Sequence, residues 1–159
     1  MDDADSIFER YAKDPDVTRY LSWQPHERIE QTRDFVSRCI MGWEDGSVFA
    51  YVITLKEEDH PIGTIEIRIE GHRGEIGFAL VRTNWGNGYM TEAAQAVTDW
   101  ALEQEGVYRV QACCDLENQA SARVLEKIGM QREGILRRWG IHPNLNAKPR
   151  DVYLYARVK

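Results

Sequence analysis

The sequence predicts a single mixed α/β domain, in which a three-stranded antiparallel meander is followed by a parallel strand, helix and strand crossover. Short apolar runs separated by polar or glycine-containing turns fill positions 48–81, and another strand-like run covers 107–114. Between them, Ala94, Val97, Trp100 and Ala101 fall on one face of a helix. With 159 residues, 43% of them hydrophobic and 29% charged, the chain has the composition of one globular domain spanning 1–159.

The opening third of the chain is predicted to be helical. Ile7, Tyr11 and Val17 form a short apolar stripe, and a second helix is expected from about 27 to 43. The core positions of that second helix are expected at Ile29, Thr32, Phe35, Val36, Cys39 and Ile40.

Strands and one further helix make up the rest of the expected sheet. The meander is expected at 48–55, 61–69 and 75–81, with a polar loop at 56–60 and a turn at 71–74. After the strand at 107–114, a helix is expected from 118 to 128, and Gly129 is placed to end it as a C-terminal cap. Two last strands, about 131–138 and 151–158, are expected on either side of a loop at 141–150.

Composition argues against several classes of function. The formal net charge of -6 disfavours non-specific binding to nucleic acid or to an acidic membrane, and is compatible with a cationic acceptor such as an amine. No apolar run reaches membrane-spanning length and the N-terminus is acidic, so a cytoplasmic location is expected. Cys39, Cys113 and Cys114 are odd in number and lack Cys-x-x-Cys spacing, so neither a structural disulfide nor a metal site is expected.

The most informative local motif, Trp85-Gly86-Asn87-Gly88-Tyr89-Met90, joins the strand at 75–81 to the helix that follows it. Two glycines one residue apart let the backbone approach a ligand closely. The first turn of a helix leaves N–H groups unpaired and carries a partial positive charge. The turn therefore favours a phosphate site, and an ordinary helix start is the alternative interpretation.

A second motif lies some thirty residues downstream, Asn118-x-x-Ser121-x-Arg123-Val124-Leu125-Glu126-Lys127-x-Gly129. In this order and spacing, the two motifs resemble the GNAT superfamily of acetyl-CoA-dependent N-acetyltransferases. Within it they resemble the RimJ/RimL-like branch, named for ribosomal-protein N-terminal acetyltransferases. Segments 14–21 and 133–137 also fit this branch, so the resemblance covers nearly the whole chain.

The resemblance implies the GNAT acyl-CoA N-acyltransferase fold, with one departure. Members usually begin with a strand before the first helix, whereas this sequence starts almost inside that helix. A late start of the recorded sequence is the expected reason, and a sheet lacking its first strand is the alternative.

The activity implied by the resemblance is direct transfer of acetyl from acetyl-CoA to a primary amine in a ternary complex, without a metal. The leading acceptor is a protein N-terminal α-amine, and a polyamine, amino acid or aminoglycoside is the alternative. From a different class comes a non-catalytic acetyl-CoA-binding sensor or scaffold. A nucleotide-binding protein is disfavoured because both common glycine-rich nucleotide motifs are missing. The protein is expected to be a monomer or a homodimer.

The resemblance also implies the residues that hold the cofactor. They are the strand residues Phe78, Ala79 and Leu80, the turn residues Trp85, Gly86, Asn87, Gly88, Tyr89 and Met90, and Asn118. Thr83 departs from the superfamily pattern, which has Gln or Arg at that position. Asn118 could instead only cap its helix. Arg123 and Lys127 could reach cofactor phosphates, although solvated side chains are the favoured interpretation.

Two residues are expected to carry the chemistry. The hydroxyl of Ser121 could protonate the departing thiolate. By the resemblance, Glu75 matches the position of a catalytic glutamate in some GNAT enzymes, and its carboxylate could relay the amine proton. A serine bonded to its own backbone and a surface glutamate are the corresponding alternatives. Glu66 is the reserve base, and His72 is expected to be exposed in a turn. A glutamate that serves as the base in one ribosomal relative corresponds here to Gly140.

Acceptor choice is expected to depend on Tyr20, Trp23 and Trp139, supported by Leu21, Pro25 and His142. Core packing is the alternative role for each aromatic side chain. An acetyl-cysteine intermediate on Cys113 or Cys114 is rejected, because no positive charge or histidine partner is visible beside them.

Overall fold

The computed structural model describes residues 3–159, which form one sheet with helices packed against it. The helices are α1 (Asp3–Ile7, continued by a π-helical turn at Phe8–Ala12), α2 (Pro15–Thr18), α3 (Ile29–Asp45), α4 (Tyr89–Glu103) and α5 (Gln119–Lys127). The strands are β1 (Val48–Leu55), β2 (Glu58–Glu70), β3 (Arg73–Leu80), β4 (Arg109–Asp115), β5 (Gln131–Ile141) and β6 (Pro149–Val158). A 3₁₀ turn at Arg82–Asn84 precedes α4.

The six strands lie in the order β1-β2-β3-β4-β6-β5. β1, β2 and β3 form the expected antiparallel meander, and β3 and β4 are parallel, as the crossover through α4 predicted. The β6 strand is antiparallel to both β4 and β5. In the described part of the chain, β1 is an edge strand. None of the helices within residues 3–159 is long and apolar enough to cross a membrane.

The main core lies between the sheet and the helices α4 and α5. The predicted face of α4 is confirmed, because Ala94 and Ala101 are 0% exposed and Val97 is 7% exposed. The α4 face packs with Ile67 of β2 and Val110 of β4 in a single apolar cluster. A second cluster joins the N-terminal helices to the end of β3, so the helical opening third covers the meander.

Three expectations about element boundaries or burial were wrong. Ile40 was expected in the core but is 44% exposed, because it lies off the stripe of α3 that Thr32 and Gly42 bury. The polar loop expected at 56–60 shrinks to a tight turn, since β2 begins at Glu58, which pairs with Leu55. The expected loop at 141–150 is also shorter. Strand pairing uses backbone groups, so charged residues near an edge hairpin can extend it.

Glycines end two of the helices where the sequence changes direction. Gly46 follows α3 with φ of 73° and Gly129 follows α5 with φ of 80°, both in the left-handed region. Beyond α5, the N–H of Met130 donates to the carbonyl of Leu125 at 3.1 Å, which satisfies one of the last free carbonyls of the helix. The predicted cap at Gly129 is therefore confirmed.

Candidate active site

The strands β3 and β4 separate after only three residue pairs. The pairs run from Arg73 with Arg109 to Glu75 with Gln111. The residues of β3 after Glu75 have no partner on β4. On its other side β3 stays paired with β2 as far as Leu80. Backbone groups of β3 beyond Glu75 are therefore free to bind a ligand on the side that faces β4.

The loop after β3 leads to an uncapped helix N-terminus. Gly86 and Gly88 have φ of 81° and 87°, and within residues 3–159 no atom beyond the chain neighbours lies within 4 Å of where a Cβ would stand on either residue. Gly88 is the N-cap of α4, and no side chain bonds to the first turn. Such a turn presents free N–H groups and the positive end of the helix dipole to an anion.

A side chain from this loop binds one of the β3 carbonyls. The indole Nε1 of Trp85 donates to the carbonyl of Leu80 at 2.8 Å. The carbonyl of Leu80 is thus occupied, while Gly77, Phe78 and Ala79 precede it on the diverging part of the strand.

A cleft of about 390 Å³ opens where the two strands separate. Nine residues with predicted site roles line it together: Tyr20, Leu21, Glu66, Glu75, Phe78, Asn118, Ser121, Trp139 and His142. Other predicted cofactor residues lie outside its lining: Ala79, Leu80, Trp85, Gly86, Asn87, Gly88, Tyr89 and Met90. The turn residues among these stand at the start of α4, and Ala79 is buried under the N-terminal helices.

Trp23 is not brought to the cleft. It lines a second cavity of about 340 Å³ with His26, and the two rings stack with their centroids 4.9 Å apart. Trp139, by contrast, is 66% exposed at the mouth of the main cleft, so it is not a core residue. Tyr20 is half-buried there and meets the ring of His142 edge to face, at a centroid distance of 6.2 Å.

The start of α5 is built by Asn118. Its side-chain Oδ1 accepts a hydrogen bond from the N–H of Ser121 at 3.2 Å, which confirms the predicted cap. Ser121 is half-buried and lines the cleft. Arg123 and Lys127 are exposed, which agrees with the solvated interpretation.

Two glutamates on neighbouring strands line the cleft, and their surroundings differ. Glu75 is exposed and accepts a hydrogen bond from Gln111 Nε2 at 3.1 Å. Glu66 is half-buried, and burial raises the pKa of its carboxyl, although nearby Arg68 partly offsets the effect. Glu66, the reserve candidate, therefore has the more enclosed carboxylate. His72 is exposed in its turn, as expected.

A buried charged group in the cleft had no counterpart in the sequence analysis. Asp115, at the end of β4, is 1% exposed and is held by Arg150 of β6. Burial opposes its ionisation, yet the hydrogen bonds from Arg150 and from the N–H of Glu117 keep the pKa of Asp115 below its usual range. The only feature of the sequence that could have indicated this group is weak, namely that Asp115 comes directly after the predicted strand at 107–114.

The loop between β5 and β6 is tied to the N-terminal segment across the cleft. The side-chain amide of Asn144 donates to the carbonyl of Thr18 at 2.6 Å and to that of Trp23 at 2.7 Å. These bonds hold the segment that carries Tyr20 against the loop that carries His142. Asn144 was not singled out from the sequence, because its partners are backbone groups more than a hundred positions away.

The cysteines of β4 are poor nucleophiles. Cys113 and Cys114 both line the cleft, and burial raises the pKa of the Cys113 thiol to about 11 and that of the Cys114 thiol to about 12. Nearby acidic groups, such as Glu75 beside Cys113, add to the effect. Both thiols are therefore protonated near neutral pH, which supports the rejection of an acetyl-cysteine intermediate.

Comparison with known proteins gives consistent matches along the chain. The family profile described as an acetyltransferase (GNAT) domain matches residues 1–131. The uncharacterized N-acetyltransferase p20 of Bacillus licheniformis is 32% identical over 164 residues, which covers 100% of this chain and 89% of the relative. A ribosomal-protein-serine acetyltransferase of Escherichia coli (strain K12) is 30% identical over 142 residues, covering 87% of this chain and 76% of that protein.

The fold is also that of a solved enzyme with its ligand. A structure of the ribosomal L7/L12 α-N-protein acetyltransferase RimL in complex with coenzyme A superposes with a TM-score of 0.87 at 24% identity. The match covers 99% of this chain and 89% of that one.

Proposed function

Because this chain belongs to the GNAT family of acetyltransferases, we propose that it transfers acetyl from acetyl-CoA to a primary amine, with a protein N-terminal α-amine as the leading acceptor. One observation supports this most: β3 and β4 diverge, the loop after β3 leads to the uncapped N-terminus of α4, and Ser121 lines the cleft between the two strands. An elongated donor with phosphates at one end and a thioester at the other fits such a site.

The donor would be held mainly by backbone groups. The free edge of β3 around Phe78 offers N–H and C=O groups to an amide-containing arm, and the turn from Trp85 to Met90 offers N–H groups to a pyrophosphate. Open space at Gly86 and Gly88 leaves room for that approach. Acetyl-CoA, when bound, supplies an acetyl group on a thioester.

The reaction converts an ammonium group and a thioester into an amide, a free thiol and a proton. Ser121 would donate its hydroxyl proton to the departing sulfur and regain a proton, directly or through water, from the nitrogen that becomes the amide. Its place at the start of α5 is fixed by the Asn118 cap, and the positive end of that helix favours a developing negative charge.

The acceptor would enter past Tyr20 and Trp139. Glu66 and Glu75 put negative charge beside this path, which favours a cationic amine, and the net charge of -6 acts in the same direction. The E. coli relative is by its name a ribosomal-protein-serine acetyltransferase, and this supports a protein N-terminus as the acceptor. Glu75 is the base expected from the sequence, and the cytoplasmic location stays a prediction.

A small amine, such as a polyamine, is the second candidate acceptor. The two cleft carboxylates, Glu66 and Glu75, could hold a ligand with more than one positive charge, and this feature favours the alternative. A non-catalytic acetyl-CoA sensor would bind the donor in the same cleft and release no thiol.

The decisive experiment offers purified protein and acetyl-CoA a panel of acceptors, with mass spectrometry of the products. The panel contains a peptide with an N-terminal serine, the same peptide with a blocked N-terminus and one internal lysine, spermidine, and an aminoglycoside. A mass gain on the free-N-terminus peptide alone supports the leading proposal. Acetylated spermidine alone would replace it with the small-amine alternative, and acetyl-CoA binding in calorimetry without any product would favour the sensor.

A further inference from the structure

We infer that His142 is the residue that accepts the proton of the acceptor amine, and that Asp115 positions it. This inference rests on the proposed function, because it assigns the remaining proton of the same reaction. It replaces Glu75 in that role.

The imidazole of His142 is buried in the wall of the cleft. The side chain of His142 is only 12% exposed, and it lines the cleft that also contains Ser121. Both ring nitrogens, Nδ1 and Nε2, are buried without a hydrogen-bond partner among the described residues. A buried polar atom without a partner is uncommon in folded proteins, and one in a substrate cleft is available to a ligand or to a bridging water.

The carboxylate of Asp115 lies beside the ring of His142. Nε2 of His142 lies 3.5 Å from Oδ2 of Asp115, whose other contacts are Arg150 and the N–H of Glu117. The pair is longer than a hydrogen bond, and such contacts commonly tighten when substrate fills the site. A carboxylate in this position fixes the ring orientation and stabilises the imidazolium that forms when the ring accepts a proton.

A glycine of β5 leaves room for the ring of His142. Position 140 is glycine, and a Cβ there would lie 2.8 Å from Val152 Cγ1 and 3.3 Å from Nε2 of His142. A larger residue at 140 would therefore push against the imidazole. The absence of a side chain at Gly140 of β5 therefore leaves space for the imidazole of His142.

The two cleft glutamates, Glu66 and Glu75, have surroundings that differ from those of His142. Glu75 is exposed and already accepts a hydrogen bond from Gln111, while burial raises the pKa of the Glu66 carboxyl and nearby Arg68 opposes that rise. Both ring nitrogens of His142, by contrast, have no hydrogen-bond partner among the described residues. In this arrangement the glutamates attract the ammonium form of the acceptor, and His142 removes one proton from it and passes that proton to solvent.

The charged and polar groups around His142 come from every element near it. Asp115 comes from β4, Arg150 from β6 and Tyr20 from the segment after α2, while Glu66, Arg68 and Glu75 line the same cleft from β2 and β3. Asp115 is the only carboxylate within 4 Å of a ring nitrogen of His142 among the described residues. Asp115 is therefore the group whose removal should change the pH response most.

The test compares His142→Gln with His72→Gln, an exposed histidine in a turn, from pH 6.5 to 9.5. The probes are a peptide with an N-terminal serine and spermidine, using whichever the wild type acetylates. At pH 6.5 the kcat/KM of His142→Gln should fall by roughly 10²-fold. With the peptide as acceptor it should approach that of the wild type by pH 9.5, because an α-amine is then largely neutral without a base. Acetyl-CoA affinity should be unchanged, and His72→Gln should match the wild type throughout.

Three results would overturn the inference or what it rests on. Full activity of His142→Gln at pH 6.5 would remove the residue from proton transfer. With the peptide as acceptor, an equal loss at every pH would mean a packing role only. If the wild type acetylates neither probe while it binds acetyl-CoA, the proposed function fails first, and the inference falls with it.

A second measurement covers the case in which His142→Gln does not fold. The double variant His60→Gln/His72→Gln is treated with diethyl pyrocarbonate, and the modified histidines are located by mass spectrometry. Activity should disappear as His142 becomes modified and return with hydroxylamine. Retained activity on fully modified His142 would contradict the assignment. Asp115→Asn should in addition lower kcat/KM more at pH 6.5 than at pH 9.5, as His142→Gln does, because the ring loses the carboxylate beside it.

Discussion

Arg150 binds the buried carboxylate of Asp115 through two hydrogen bonds, from Nε to Oδ2 at 2.6 Å and from Nη2 to Oδ1 at 3.1 Å. The pair joins the end of β4 to the start of β6, directly beneath the loop that carries His142. It is the most enclosed pair of an arginine or lysine with a carboxylate among the described residues, and it supports one wall of the cleft.

Removing this carboxylate should destabilise the protein. Asp115→Ala leaves Arg150 without its main partner and should lower the free energy of unfolding by roughly 3 kcal/mol. Urea denaturation measures the change. The control is Asp99→Ala, which removes a more exposed ion pair with Arg157 and should cost no more than about 1 kcal/mol. Equal effects of the two substitutions would show that the Asp115 pair is not a special support.

The same pair predicts how stability depends on pH. The pKa of Asp115 is lower in the folded protein than in the unfolded chain, so the unfolded chain binds its proton first as the pH falls. The stabilisation is complete above the ordinary carboxyl pKa of about 3.9 and is lost below it, as the pH falls through the depressed folded value. Denaturation curves of wild type and Asp115→Ala should therefore converge in acid, and curves that stay parallel to pH 2 would contradict this.

Substitution of Gly88 should weaken acetyl-CoA binding. Gly88→Val forces a branched side chain into φ of 87° and changes the first N–H groups of α4, so the Kd should rise by tenfold or more, about the loss of one hydrogen bond to a charged group. Isothermal titration calorimetry measures it. Gly46→Val is the matched control, since Gly46 has φ of 73° but ends α3 far from the cleft lining. Normal affinity in Gly88→Val would show that this turn does not bind the phosphates.

Ser121→Ala should separate chemistry from donor binding. Loss of a general acid typically costs about 10²-fold to 10⁴-fold in rate, so kcat should fall by that order while the acetyl-CoA Kd changes little. Steady-state kinetics and calorimetry together give both values. Ser37→Ala on α3, outside the cleft lining, should behave as wild type. Unchanged turnover in Ser121→Ala would remove the serine from its proposed role.

Asn144 should affect the acceptor more than the donor. Asn144→Ala removes both bonds to the segment that carries Tyr20, so the KM for the acceptor should rise several-fold with acetyl-CoA affinity unchanged. Asn146→Ala is the control, because Asn146 is exposed in the same loop and bonds only to the nearby N–H of Lys148. The same KM in both variants would mean that the Asn144 bonds do not shape the acceptor site.

Sequence periodicity predicted the elements of this fold well because the buried faces are regular. The α4 face with Ala94, Val97 and Ala101 and the alternation of β2 both follow from one-sided burial. Ile40 escaped the prediction, since helical spacing alone does not tell which side of a helix ends at the rim of a sheet. Hairpin ends such as Glu58 also escaped, because backbone pairing tolerates charge.

The site was predictable only where its chemistry is local in sequence. The glycine turn and the Asn118 cap act through backbone groups a few residues away, so their motifs are visible along the chain. Asp115 with Arg150, and Asn144 with Trp23, join positions that are distant in sequence. Trp23 illustrates the same limit, since an aromatic residue near Tyr20 in sequence proved to line a different cavity.

The central claim is that this cleft binds acetyl-CoA and releases its thiol when an amine is present. The most direct measurement follows free-thiol release from acetyl-CoA in the presence of a peptide with an N-terminal serine or of spermidine, with Gly88→Val and Ser121→Ala as paired variants. We expect amine-dependent thiol release by the wild type, a higher requirement for acetyl-CoA in Gly88→Val, and slow turnover at normal donor affinity in Ser121→Ala. No thiol release above the amine-free rate, together with calorimetric binding of ATP and not of acetyl-CoA, would contradict the account.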